Sequence, residues 1–291
     1  MSPNEEREFR RVMENTRLNE MKKLALEIRI ETLTMLAAHG MGHVGGSLSV
    51  ADCIAVLYGS QMKYDPKNPK WDGRDYLVLS KGHCGPALYS ALALKFFFPK
   101  EELMTLNHLG TLLPSHCDKN LTPGIDMTTG SLGQGVSCAL GMAMGLKLDG
   151  KPNKVFAVIG DGESQEGLVW ETMLLAPAQK ANNLIVLLDN NKQQLDDFTD
   201  TIAPLGDMRR KAEEFGWFAV TCNGHDVAAI DDAIEQCRRA DKPGFINMNT
   251  IKGKGWKEKE AVNGNHGVKG MTLDSVRPVL ERFKTQLAAL G

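Results

Sequence analysis

The sequence predicts an α/β fold, a mostly parallel sheet with helices on both faces, and three observations predict it. Short runs of β-formers alternate along the chain with longer segments of helical period. Two of those runs, 155–159 and 184–188, are apolar throughout, as strands covered on both faces are. The stretch between them, 166–180, has the length of a crossover helix, so the two strands should run parallel with their carboxyl ends at one edge. They end in Gly160-Asp161-Gly162 and Asp189-Asn190-Asn191, which lets Asp161 and Asn191 face one ion at the edge where α/β sheets bind ligands.

The 291 residues, 42% of them apolar, suffice for one main domain with terminal helices, read as 18–291 behind a polar lead-in over 1–17 that should be frayed. A net charge of -2 and a pI near 6.4 give no footprint for nucleic acid or a membrane surface, and no apolar run reaches the roughly 20 residues of a membrane span. Six cysteines without CxxC or metal-type spacing read as reduced thiols. With charged rather than apolar first residues, they point to a soluble cytoplasmic protein.

In chain order, Leu18, Met21, Ala25, Ile28, Thr32 and Met35 mark a long amphipathic helix. Gly42-His43-Val44-Gly45-Gly46-Ser47-Leu48-Ser49 reads as a flexible loop before a second helix over 50–58. Prolines and an Asp72-Gly73 turn exclude regular structure over 64–73, and 76–80 reads as a buried strand ending at Lys81-Gly82-His83. His83 thus sits at a strand's carboxyl end, either in chemistry or capping the helix expected over 87–97. The Phe96-Phe97-Phe98 cluster reads as core or subunit contact.

A short helix and its exit are expected over 103–113, followed by a long irregular stretch from Pro114-Ser115-His116-Cys117 to Met127. The glycine turn Thr129-Gly130-Ser131-Leu132-Gly133-Gln134-Gly135 then opens a helix over 136–147; it would let a diphosphate approach free N–H groups, and a plain tight turn explains it as well. Asp196, Asp197 and Asp200 read as a solvated loop or a second metal site. A helix over 208–214, a strand over 217–221, a helix over 227–239 capped by Asp226 or Asn223, a strand over 245–250 and a helix over 275–289 complete the chain. His225 reads as structural, and Lys252-Gly253-Lys254-Gly255 as the start of a mobile charged loop carrying His266.

The order of these motifs is more specific than any one of them. GDG followed by Asn191, thirty residues beyond Asp161, resembles the thiamine diphosphate signature. With Gly42-His43-Val44-Gly45, Ser80-Lys81-Gly82-His83, Pro114-Ser115-His116, the Gly130 turn, Gln165-Glu166-Gly167 and Asn265-His266-Gly267-Val268, almost the whole chain resembles transketolases. The resemblance implies the thiamine diphosphate-binding fold and a Mg2+ or Ca2+ ion held by the side chains of Asp161 and Asn191 and the main-chain carbonyl of Gln193. A hard ion takes about six oxygens, which three protein oxygens, two from the diphosphate and one water would supply. It further implies that Gly130, Leu132, Gly162, Glu166, Asn191, His83 and His266 contact the cofactor, and that His43, His83, His116 and His266 move protons around the thiazolium and the sugar hydroxyls.

Full-length transketolases continue into a pyrimidine-binding domain with an activating glutamate. The resemblance therefore implies the amino-terminal subunit of a split transketolase, which transfers a two-carbon ketol unit from a ketose phosphate to an aldose phosphate only with a separate carboxy-terminal subunit, in a heterotetramer, with Glu166 near the boundary. Cys117, where proline is usual, and Lys269, where histidine is common, fall near the expected pocket, so pentose phosphates are the first expectation for the donor and a modified sugar phosphate or sulfonate the alternative. The rival readings are a deoxyxylulose phosphate synthase fragment or 2-oxo acid dehydrogenase α subunit, which lack the SKGH and PSH pair, and a non-catalytic cofactor-binding scaffold.

Overall fold

Alternation of apolar runs with helical segments produces three layers. In the computed structural model, which describes residues 3–195 and 197–291, the chain runs α1 (Pro3–His39), β1 (Met41–Gly42), α2 (Val44–Ser49), α3 (Ala51–Val56), β2 (Tyr76–Leu79), α4 (Gly85–Leu94), α5 (Gln134–Leu148), β3 (Val155–Gly160), α6 (Gly167–Ala178), β4 (Leu184–Asn190), α7 (Thr199–Ile202), α8 (Met208–Glu214), β5 (Phe218–Asn223), α9 (Val227–Arg239), β6 (Gly244–Asn249), β7 (Val268–Lys269) and α10 (Leu273–Ala289). Strands β2, β3, β4, β6 and β5, in that spatial order, form one parallel sheet.

The apolar runs of β3 and β4 feed both layers because successive side chains point to opposite faces. Phe156, Val158, Ile185 and Leu187 pack with α1, α3, α4, α9 and α10, while Val155, Ala157, Ile159, Leu184, Val186 and Leu188 pack with α5, α6 and α8. Each such fully buried large side chain contributes about 1.5–3 kcal/mol. The register sets Gly160 opposite Asp189, and Asp189 opposite Met248. The turns that follow β3, β4 and β6 therefore emerge side by side at one edge.

Several expectations change. The lead-in is helical: α1 begins at Pro3, which suits a first helical turn, and no glycine or proline interrupts it before His39. The stretch after His43 is not a flexible loop but the buried helix α2. Its glycines are required by space, since a Cβ on Gly46 would lie 2.7 Å from Cys84 Sγ and one on Gly45 would lie 2.7 Å from the Asn265 carbonyl. The second helix breaks earlier, at Val56, into a π-helical turn over Leu57–Gln61. α4 ends at Leu94 because Phe96 adopts φ 65°, reversing the chain so that Phe98 is buried and Phe96 exposed. In place of a helix over 103–113 there is a 3-10 turn over Lys100–Thr105, stopped by left-handed Asn107 and Gly110. The ribbon of β1 with β7, which pairs Gly42 with Val268, carried no sequence signal.

Among the described residues the six cysteines are free thiols, and no helix is long and apolar enough to cross a membrane.

Candidate functional site

At the carboxyl edge of the sheet lies a cavity of about 360 Å³. Every residue that the resemblance assigns to the metal, the cofactor or the proton transfers lines it: His43, His83, His116, His266, Gly130, Leu132, Asp161, Gly162, Glu166, Asn191 and Gln193. A larger open groove of about 820 Å³ between residues 67–76 and 119–126 contains none of them.

One end is built on β3 and β4. Asp161 follows β3 and is buried; its Oδ1 accepts from Gly162 N–H at 2.8 Å, and its Oδ2 has no hydrogen-bond partner among the described residues. Burial, then the nearby Asp189 carboxylate, push the Asp161 pKa up to about 6. An orphaned carboxylate oxygen in such a place fits a cation. Asn191 follows β4: its Oδ1 accepts from Gln193 N–H at 3.1 Å and its Nδ2 donates to Asp189 Oδ2 at 2.9 Å. Among the described residues, the Gln193 carbonyl meets only the Lys252 ammonium, at 3.5 Å. Carboxylate, amide and backbone carbonyl form an oxygen-only set suited to a hard divalent ion.

Asp189 ties this end to the rest. It accepts from Lys81 Nζ, from Ser49 Oγ at 2.6 Å, from Thr250 Oγ1 at 2.5 Å and from Asn191. Burial alone would raise its pKa, but the Lys81 ammonium and these hydrogen bonds hold it below the usual carboxylate value. Glu163 does the same for the glycine turn: its Oε1 accepts from Gly133 N–H at 2.9 Å and from Ser80 Oγ at 2.5 Å, and its Oε2 accepts from Gly160 N–H at 3.0 Å. Gly133, at φ 82°, starts α5 there.

The other end is a histidine cluster. His43 is central, with ring centroids 5.5 Å from His83, 5.5 Å from His116 and 5.3 Å from His266; His83 and His266 are 4.8 Å apart. They come from the start of α2, the 3-10 turn Gly82–Cys84, the 114–127 stretch and the loop before β7. All four pKa values are lowered. Burial is the main cause in each, joined by Lys81 for His83, by His116 for His43, and by Lys252 for His266, which is pushed down to about 3. The rings are therefore neutral near pH 7, each with one donor and one acceptor nitrogen.

Sequence reasoning missed two cations. Lys81 and Lys252 both line the cavity, although each side chain is almost wholly buried. The 252–255 run is thus no mobile charged loop at its start: Lys252 Nζ donates to the Gln194 carbonyl at 2.9 Å, and Asn265 Nδ2 donates to the Lys259 carbonyl at 2.6 Å. Burial, then Lys81, bring the Lys252 pKa down to about 8. The signal was there in the SKGH and KGKG runs, but charge alone does not reveal burial.

His225 does not line the cavity; its Nδ1 lies 2.8 Å from Asp52 Oδ2, and Asp226 caps α9 through Ala228 N–H. Cys117, next to the lining His116, is buried, and Lys269 is exposed on β7; neither lines the cavity itself. Of the acidic loop, Asp196 lies outside the described residues, and Asp197 Oδ1 is engaged by Phe198 N–H and Asn263 Nδ2.

Residues 20–285 match the family model described as "Transketolase, thiamine diphosphate binding domain". The chain belongs to the transketolase family. It is 51% identical over 243 residues to the 6-deoxy-6-sulfo-D-fructose transketolase subunit of Clostridium sp. (strain MSTE9), covering 83% of this chain and 88% of that protein. It is 36% identical over 242 residues to one of the apulose-4-phosphate transketolase subunits of Actinobacillus succinogenes, with the same shares covered. Among solved structures, transketolase from Campylobacter jejuni superposes with a TM-score of 0.86 at 31% identity, over 92% of this chain and 43% of that one. The chain therefore spans less than half of that transketolase but most of the relatives named as subunits. As a family member it carries the thiamine diphosphate-binding domain.

Proposed function

We propose that this chain is the diphosphate-binding subunit of a two-chain transketolase that moves a two-carbon ketol unit from a ketose to an aldose. The observation that carries the reading is the convergence of Asp161, Asn191, Gln193 and four histidines, from separate segments, on one cavity. Asp161, Asn191 and the Gln193 carbonyl would hold Mg2+ or Ca2+, and through it a diphosphate beside Gly130, Leu132 and Gly162. Thiamine diphosphate, when bound, supplies the carbanion chemistry at its thiazolium carbon.

The chain's own residues do the rest. Each neutral imidazole can accept a hydroxyl proton at one nitrogen while donating from the other, which suits His43, His83, His116 and His266 to carry protons to and from sugar oxygens. Lys81 and Lys252 add positive charge where an anionic cofactor tail would sit. Glu166, at the rim, would meet a partner chain that supplies the pyrimidine-binding domain, in a heterotetramer. A cytoplasmic setting suits the six free thiols.

For the donor, pentose phosphates are the general choice in the family, but the relative named for 6-deoxy-6-sulfo-D-fructose favours a ketose with a sulfonate tail. Co-purification of the partner, followed by ketol-transfer assays of the pair on sulfonated and phosphorylated ketoses, tests this. The pair should be active and the chain alone inactive, and His116→Ala should keep the cofactor while slowing turnover about 100-fold or more. Unaided transfer by the pure chain would sink the two-chain reading.

A further inference from the structure

We infer that His225 is a positioning residue for the cofactor cavity, acting through the backbone of Ile251 to hold Lys252 in place; this rests on the reading of that cavity as the thiamine diphosphate site. His225 does not line the cavity. It sits in the turn between β5 and α9, where its Nδ1 lies 2.8 Å from Asp52 Oδ2. On its other side Ile251 N–H donates to Nε2 at 2.8 Å. A ring nitrogen that accepts from an N–H bears no proton, so the ring proton is on Nδ1 and is donated to Asp52. Arg29 donates to both Asp52 oxygens, at 3.1 and 2.5 Å, which fixes the carboxylate and with it the tautomer of the ring.

The consequence falls on the next residue. Thr250, Ile251 and Lys252 are anchored in succession to three different places: Thr250 Oγ1 to Asp189 on β4, Ile251 N–H to His225, and Lys252 Nζ to the Gln194 carbonyl. Of these anchors only His225 lies outside the chemistry of the cavity. Without it the Ile251 N–H loses its acceptor, and the cheapest remedy is movement of the segment that aims Lys252. Displacements of about 1 Å matter at such sites.

Two variants separate positioning from simple support. His225→Asn places an amide near the position of Nδ1, retaining a donor for Asp52 but leaving Ile251 without an acceptor; His225→Gln places its amide oxygen near Nε2 and restores that acceptor. Amide hydrogen exchange of the full chain should be about tenfold faster at Ile251 and Lys252 in His225→Asn, and within about threefold of the unsubstituted chain in His225→Gln. Thiamine diphosphate affinity with Mg2+, measured with the co-purifying partner, should weaken about tenfold in His225→Asn and stay nearly unchanged in His225→Gln. In a Lys252→Met background His225→Asn should cause no further weakening, because its effect passes through that side chain. Equal effects of the two variants, or full additivity with Lys252→Met, would overturn the inference. If the unsubstituted chain binds no thiamine diphosphate, the functional reading falls; exchange at Ile251 then decides alone, unequal rates supporting the positioning and equal rates overturning it.

Discussion

At the acidic end of the cavity the donors sit just beyond two adjacent strands, whereas at the histidine end four rings arrive on four segments that no single element connects. The first arrangement is fixed by sheet register, with Gly160 opposite Asp189. The second is fixed by backbone bonds between loops: Gly45 N–H to the Asn265 carbonyl at 3.0 Å, Gly253 N–H to the Gly45 carbonyl at 2.9 Å, Thr129 N–H to the Cys117 carbonyl at 3.0 Å, and the β1–β7 ribbon. Substitutions at the acidic end should therefore change binding with little change in fold. Substitutions between the histidine loops should move geometry. The two ends meet at Asp189, which accepts from Lys81 below the histidines and from Asn191 beside Asp161.

The largest expected effect is at that junction. Lys81→Met leaves the fully buried Asp189 without its counter-charge, and breaking such a pair costs about 3–5 kcal/mol, to be read as a lower denaturation midpoint in urea. Retention of full stability would show that the two ends are independent. Next comes Asp161→Ala. It should cost at least about 100-fold, or roughly 2.7 kcal/mol, in thiamine diphosphate affinity with Mg2+, and chelation of the metal should do the same to the unsubstituted chain. Thermal stability should change little, since the Gly162 N–H bond that is lost is offset by relief of a carboxylate whose burial already raises its pKa.

Gly45→Ala probes the loop-built end. Its Cβ would press on the Asn265 carbonyl at 2.7 Å and on Lys252 Cγ at 2.9 Å, so about 1–3 kcal/mol should be lost and hydrogen exchange should rise around His266 but not around Asp161. A uniform rise over both ends would erase the distinction. The last effect is read as a change of slope with pH. Burial alone would raise the Asp52 pKa, but the Arg29 guanidinium and His225 hold it well below the usual carboxylate range. Its folded value lies below the unfolded one near 3.9, so the stability it contributes is complete above about pH 4 and is lost as the pH falls further. Asp52→Asn should flatten the acid limb of a stability-versus-pH curve below about pH 4, and an unchanged limb would count against the Arg29–Asp52–His225 chain.

The same comparison explains what the sequence could tell. Apolar runs such as 155–159 and 184–188 declare buried parallel strands, and the residue after a strand's end is placed by the strand, so Asp161 and Asn191 were legible as a pair. The histidines were legible only through motif order, because the bonds that gather them are backbone bonds between distant loops. Burial of charge was not legible at all. Lys81 drew no reading of its own and Lys252 read as part of a mobile charged loop; the packing of Asp189 and of the Gln194 carbonyl against them makes them interior groups. Glycine misled for a related reason: Gly45 and Gly46 mark close approach inside a helix rather than a flexible loop. The lead-in misled in the other direction, since a polar stretch still propagates a helix when no glycine or proline stops it.

The central claim is that the strand-end oxygens hold a metal that anchors thiamine diphosphate. Calorimetric titration of thiamine diphosphate into the chain with its co-purified partner, with and without Mg2+, tests it most directly when Asp161→Ala is run beside it. Saturable binding that requires Mg2+ and vanishes in Asp161→Ala is the predicted result. Binding of equal strength without the metal, or undiminished in the variant, would contradict it.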